Sequence, residues 1–239
     1  TSLYDLGMFY YRRGRTKQAV PLLQRVTRLA PDNSSGYTGL GAAYWMDGQL
    51  EDAATNLKKS LELRPTATAY TSLGTVYFFL DRCAEALPLM EQASKLAPKS
   101  EQVWGNLGDV YACVPATKDK AAAAYQRAVQ LGQDKLAVNA NAPDVWGVVA
   151  LYQAKLGDKV KALANIEKAR RLAPASRKVA WEAALVYELG GNRDLAMAAL
   201  RDAMNAGQPL EEIRREPALA NLRSDPRFAH LTAERKVRQ

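Results

Sequence analysis

The sequence predicts an all-α solenoid built from stacked helix-turn-helix repeats with a C-terminal helical cap. Three observations predict it. First, one spacing recurs along the chain: an aromatic or large apolar residue, Leu-Gly three residues on, and Tyr three after that. In the clearest copy these are Tyr37, Leu40–Gly41 and Tyr44, followed by Ala53, Leu57 and a closing Pro65. Second, these positions fall on one face of each of two helices. Gly41 and Ala53 are small enough to let the pair approach closely. Third, a two-helix unit cannot bury that face alone, so neighbouring copies must stack on it.

Taken in order, the chain reads as an array over residues 1–207 and a cap over 208–239. Repeat 1 (about 1–33) carries Leu3, Leu6–Gly7, Tyr10, Gly14, Ala19, Leu23 and Pro31. Repeat 2 (34–66) is the copy above, with Gly48 in its turn and Pro65 stopping its second helix. Repeat 3 (67–100) carries Tyr70, Leu73–Gly74, Tyr77, Ala86, Met90, Ala93 and Pro98, and Asp81 stands at the turn-glycine position. Repeat 4 (101–142) carries Trp104, Leu107–Gly108 and Tyr111. Its second helix slips by one residue to Ala121, Tyr125 and Ala128, and its apolar phase runs on to about Val138.

Repeat 5 (143–176) keeps Trp146, Gly157, Ala162, Ile166, Ala169 and Pro174, with Val149–Ala150 in place of Leu-Gly. Repeat 6 (177–207) keeps Ala184, Tyr187, Gly191, Ala196, Leu200 and Ala203, but has Ala180 at the aromatic position. In the tail, short helices are expected at about Pro217–Leu222 and Pro226–Arg235, with Asp225 capping the second. Ala218, Leu219, Leu222, Phe228 and Leu231 are the side chains available to cover the last repeat.

The recurring motif is identified as that of the tetratricopeptide repeat family, and the resemblance covers roughly residues 1–207. It implies right-handed stacking. The ending Leu222-Arg223-Ser224-Asp225-Pro226-Arg227-Phe228 resembles the ends of arrays in bacterial multidomain signalling proteins, eukaryotic-type serine/threonine kinases first among them. The chain begins at Thr1, without Met and inside a helix. It therefore reads as part of a longer or processed protein, bacterial by this resemblance, whose parent has scope for a membrane anchor.

Composition narrows the functions. The apolar fraction is 48% and the net charge +8, as in a soluble helical domain that is basic without being extreme. No apolar run reaches the length of a membrane span. There is no phosphate-binding Gly-rich loop, no HExxH, no GxSxG and no kinase catalytic motif. No catalytic residue, metal ligand or cofactor is therefore assigned, and this chain is expected not to be an enzyme. The single histidine, His230, is read as a surface or packing residue. Cys83 and Cys113 form no metal spacing; Cys113 is read as an inert side chain and Cys83 as the more exposed, with their pairing left open.

Function is then expected from surface. The family resemblance implies that the first helices of successive repeats line a concave groove. By position, the groove residues are Tyr4, Met8, Tyr11 and Arg12, then Thr38, Ala42, Trp45 and Met46, then Thr71, Thr75, Phe78 and Phe79. Further on come Gln102, Asp109, Cys113, Leu151, Lys155, Trp181, Leu185 and Glu188. Tyr11, Trp45, Met46, Phe78 and Phe79 form an apolar and aromatic stripe off the positions that bury the helix pairs, and such a stripe marks a binding surface. The alternative is that these rings pack on one another.

The expected role is a non-catalytic scaffold for a peptide or partner domain. Arg12, Asp109 and Lys155 would select its orientation. Met8 and Ala42 occupy positions where the family's chaperone-tail carboxylate clamp needs Lys and Asn, so no such tail is expected as ligand. Three alternatives stand beside this. The chain is a regulatory or sensor module of a bacterial signalling protein (serine/threonine kinase, cyclase or transcriptional regulator). Or it self-associates through its N-terminal helices. Or, least favoured, it binds nucleic acid through the basic residues of repeat 1 (Arg12, Arg13, Arg15, Lys17, Arg25 and Arg28).

Overall fold

The computed structural model describes residues 2–236, with side chains described through residue 233. Thr1 and the last three residues of the expected cap lie outside the described residues. Within them the chain is all-α, with fourteen α-helices, three short 3-10 segments and no strand.

Two compact units divide the chain. The first comprises residues 1–98 and 109–118. It holds α1 (Leu3–Arg12), α2 (Thr16–Leu29), α3 (Ser34–Met46), α4 (Leu50–Leu63), α5 (Ala67–Phe79) and α6 (Cys83–Leu96). It also takes the C-terminal part of α7 (Glu101–Cys113) and the start of the 3-10 segment Pro115–Lys120.

Here the first helix of each hairpin starts where a polar side chain satisfies free backbone N–H groups, whereas α2, α4 and α6 start without a side-chain cap. Asn33 accepts from the N–H of Ser35 and Gly36, and Thr66 from that of Ala69. The turns reverse through left-handed residues. Gly48 has φ 80°, and Asp81, a non-glycine at the same point of its hairpin, has φ 59°. Asp is among the few side chains that tolerate this region. The motif glycine acts by close approach: a Cβ on Gly41 would fall 2.7 Å from Leu57 Cγ, inside contact distance. Ala19, Leu23, Leu40 and Ala43 form the core between the first two hairpins, each at most 3% exposed.

The second unit comprises residues 99–108 and 119–239. It holds the first part of α7, α8 (Ala121–Val138), α9 (Pro143–Lys155), α10 (Lys159–Leu172), α11 (Arg177–Gly190) and α12 (Arg193–Asn205). After these come α13 (Leu210–Arg215), 3-10 turns at Pro217–Leu219 and Leu222–Ser224, and α14 (Pro226–Lys236). The stretch expected as one helix over 217–222 is thus two 3-10 turns, and α13 stands where the sequence announces no helix.

The core of this unit centres on α11. Every residue from Val179 to Tyr187 is buried, and so is every residue of α9 from Gly147 to Ala154. Ile213, Leu219, Leu222, Phe228 and Leu231 join the same cluster, closing over α11 and α12. Burial of these five side chains is expected to outweigh the ion pairs around them in holding the tail. Exposed pairs such as Arg227 to Asp194 contribute little in water.

Candidate functional site

In the first unit, α3 and α5 present a half-buried aromatic surface. The Trp45 and Phe79 rings meet edge to face at 5.1 Å, and Phe78 and Phe79 do the same at 5.3 Å. Trp45, Met46 and Phe78 are half-buried, which leaves ring and thioether surface open to a partner. Phe79 is only 6% exposed. Its expected place on the open groove is corrected: it is the packing floor against which Trp45 and Phe78 stand.

The threonines at the expected groove positions are half-buried, with hydroxyls turned to their own helices. Thr71 donates to Ala67 O and Thr75 to Thr71 O, each at 2.8 Å. Thr38 Oγ1 lies 3.2 Å from Ser34 O and 2.7 Å from the buried Ser60 Oγ. A threonine hydroxyl bonded back to its own helix shows its methyl group to the surroundings. Neither α3 nor α5 contains a charged residue.

On α1, Tyr4 and Met8 lie over Gly39 of α3, where a Cβ would come within 3.2 Å of Tyr4 Cε2 and 3.1 Å of Met8 Sδ. They and Tyr11 pack on the core of the first two hairpins while staying half exposed. Arg12 is exposed and Asp109 half-buried. Arg13, Arg15, Lys17, Arg25 and Arg28 are also exposed, with Arg13 stacked 4.3 Å over the Phe9 ring.

The cysteines depart from expectation. Cys83, at the start of α6, and Cys113, at the end of α7, form a disulfide within the first unit, with Cα atoms 6.1 Å apart. Cys83 is the buried partner and Cys113 the exposed one, the reverse of the reading from sequence. Spacing alone has no means of pairing them.

In the second unit the expected groove positions are largely filled. Leu151 and Trp181 are 9% exposed and Leu185 2%. Leu151 is therefore corrected from groove lining to core. Lys155 is half-buried with its ammonium 5.7 Å from the Tyr125 ring and 5.5 Å from the Tyr152 ring, which stack on each other at 5.4 Å. Gln102 accepts from Lys178 at 3.3 Å. Glu188 is held by Arg193 at 3.1 Å, its second oxygen buried without a partner.

Sequence reasoning passed over Glu182. It is buried on α11, one carboxylate oxygen has no hydrogen-bond partner, and it sits against Gly147, the one residue type that leaves room for it. Burial pushes its pKa up to about 8. Asp144 pushes the same way, and Lys178, 4.0 Å away, pulls it down. Its signal was available: one acid inside the apolar run VAWEAALVY. His230 is exposed on α14.

Two family models, each described as tetratricopeptide repeat, match the chain: one over residues 1–66 and again over 34–99, the other over 71–135. They cover more than half of it, and the chain belongs to the tetratricopeptide repeat family. Proteins of this family are in general protein–protein interaction scaffolds.

Among curated relatives, the Hsp70-Hsp90 organizing protein of Triticum aestivum is 28% identical over 145 residues, 60% of this chain and 24% of that protein. The CTR9 homolog of Arabidopsis thaliana is 28% identical over 114 residues, 46% of this chain and 10% of that protein. The chain thus spans a quarter or less of either relative. Among solved structures, a thermophilic TPR protein of Thermus thermophilus superposes with a TM-score of 0.56 at 20% identity, covering 78% of this chain and 99% of that one. The APC/C hetero-tetramer Cut9-Hcn1 gives 0.59 at 17% identity, covering 92% and 41%. These likenesses speak to the fold alone.

Proposed function

We propose that this chain is a non-catalytic scaffold that binds a protein or peptide on the aromatic surface of α3 and α5. The observation that carries the reading is the half-buried set of Trp45, Met46 and Phe78 standing on Phe79. Large side chains already fixed by packing lose little entropy on binding, which is how interface anchors work. The Hsp70-Hsp90 organizing protein is named for two chaperones. A chaperone-tail ligand is not carried over here, because Met8 and Ala42 stand where the clamp needs Lys and Asn.

The test is a pull-down at two salt concentrations with the wild-type chain and with Trp45→Ala/Phe78→Ala, the variant's folding checked by circular dichroism. A partner lost in the folded variant and retained in high salt supports the reading. Capture that survives the substitutions but washes off with salt moves the function to the exposed arginines of α1 and α2, and to nucleic acid or another polyanion.

A second reading places this scaffold as a regulatory or sensor module within a larger bacterial signalling protein. It is favoured by the Leu222–Phe228 ending, whose Asp225 accepts from the Arg227 backbone N–H at 3.0 Å and so starts α14. Sequencing the parent gene tests it: a kinase, cyclase or DNA-binding domain on the same chain is the expected outcome.

A further inference from the structure

We infer that the occupant of the α3–α5 surface is an uncharged, apolar face of an α-helix rather than an extended peptide. This rests on the proposed use of that surface and names the chemistry of its ligand. The chain carries a net charge of +8, yet α3 (SSGYTGLGAAYWM) and α5 (ATAYTSLGTVYFF) hold no Asp, Glu, Lys, Arg, His, Asn or Gln. A charged ligand would lose its hydration on this surface with no charged or amide side chain on these two helices to replace it.

The hydroxyls strengthen the case. Thr71 and Thr75 each direct their proton to a carbonyl one turn back, and Thr38 is engaged with Ser34 and Ser60. At the groove positions of these two helices, the Trp45 indole is then the only N–H donor. An extended segment brings one carbonyl oxygen per residue, and each must find a donor once water is displaced. One indole cannot serve a run of them. A helix brings its backbone already bonded and offers side chains alone, so it loses nothing here. The dimensions agree: each 13-residue helix is about 20 Å long at 1.5 Å per residue, room for several turns of a partner helix about 10 Å across.

The experiment is selection of binders from a random 20-residue peptide display library on the folded full chain. Binders are counter-screened on Trp45→Ala and on Phe78→Ala, with each variant's fold verified. The expected binders carry apolar residues at i, i+3, i+4 and i+7 and gain helical circular dichroism on binding. They should lose at least tenfold affinity on Trp45→Ala and change less than twofold between low and high salt. Thr71→Val/Thr75→Val, which keeps the shape and removes the hydroxyls, should bind them within about twofold.

Groove-dependent binders with alternating or Pro-rich patterns, or a tenfold loss on Thr71→Val/Thr75→Val, overturn the helical occupant while leaving the groove as the site. Binders indifferent to both Trp45 and Phe78, or no binders at all, overturn the helical occupant and the groove together.

Discussion

Cys83 and Cys113 are joined, so the first turn of α6 is tied to the last turn of α7 across a sequence separation of 30. The bond closes a loop containing all of α6 and α7. In the unfolded chain that loop must otherwise be ordered from a free coil. A closed loop of this length is worth about 3.7 kcal/mol in chain entropy. Reduction is therefore expected to lower the thermal midpoint by roughly 7–15 °C, with Cys113, the exposed partner, giving a reductant its access. Melting curves with and without dithiothreitol check this. Cys83→Ser/Cys113→Ser should melt at the lower temperature and ignore the reductant; a wild type that ignores it too removes the disulfide from the stability account.

Glu182 gives stability a pH dependence of unusual sign for a carboxyl group. Its pKa in the folded chain is raised by burial from 4.5 to about 8, so the fold holds it protonated at neutral pH. A raised folded pKa means the folded state binds the proton more tightly than the unfolded state. Its contribution is fully present below about pH 4.5 and is lost progressively as pH rises to about 8. Glu182→Gln keeps the shape and removes the charge. Urea unfolding should show the variant more stable than wild type by about 1 kcal/mol or more at pH 9, with the two converging near pH 4. A constant difference across that range would refute the assignment.

Gly105 is required by a tyrosine from the next hairpin. A Cβ at Gly105 would run into the Tyr152 ring, which is itself stacked on Tyr125 at 5.4 Å. The ring is 3% exposed and has nowhere to retreat. Gly105→Ala should therefore cost about 1–3 kcal/mol, despite the usual advantage of Ala over Gly inside a helix. Gly105→Ala/Tyr152→Leu should recover part of that loss. Chemical denaturation of the two variants measures both effects, and a stabilising single substitution would contradict the packing.

Much of the fold is legible in the spacing of Leu-Gly, Tyr, Ala and Pro, because those positions are where helices touch. Gly41 against Leu57 and Asp81 in its left-handed turn are local demands that single residues announce. The binding surface is less legible. Phe78 and Phe79 are adjacent in sequence, about 100° apart around the helix, and only the structure shows that one is floor and the other rim. In α9 and α11 the family positions mislead, since Leu151, Trp181 and Leu185 are buried. The warning was the long apolar runs VVALY and VAWEAALVY, the second interrupted only by Glu182: a stretch apolar on every side lies in the core. The disulfide leaves no trace in spacing, because it depends on how two hairpins stack.

The tail tests what apolar burial contributes relative to charge pairing. Leu222 is fully buried in the cluster that joins the two 3-10 turns to α11 and α12, beside Leu219 and Ile213, which are also 0% exposed. Arg227, by contrast, reaches Asp194 at 2.7 Å and Asp225 at 2.8 Å from an exposed position. Solvent screens the Asp194 pair and reaches the Arg227 side of the other, whereas Leu222→Ala leaves a cavity in the core, at a cost of about 2–5 kcal/mol. Leu222→Ala should therefore lower the urea midpoint strongly, and Arg227→Ala should leave it nearly unchanged. Leu195→Ala, at a position 47% exposed on α12, serves as the control for surface truncation and should also have little effect. If Arg227→Ala proves the more damaging, the tail is held by its ion pairs. Burial of Leu222 would then be a consequence of docking rather than its cause.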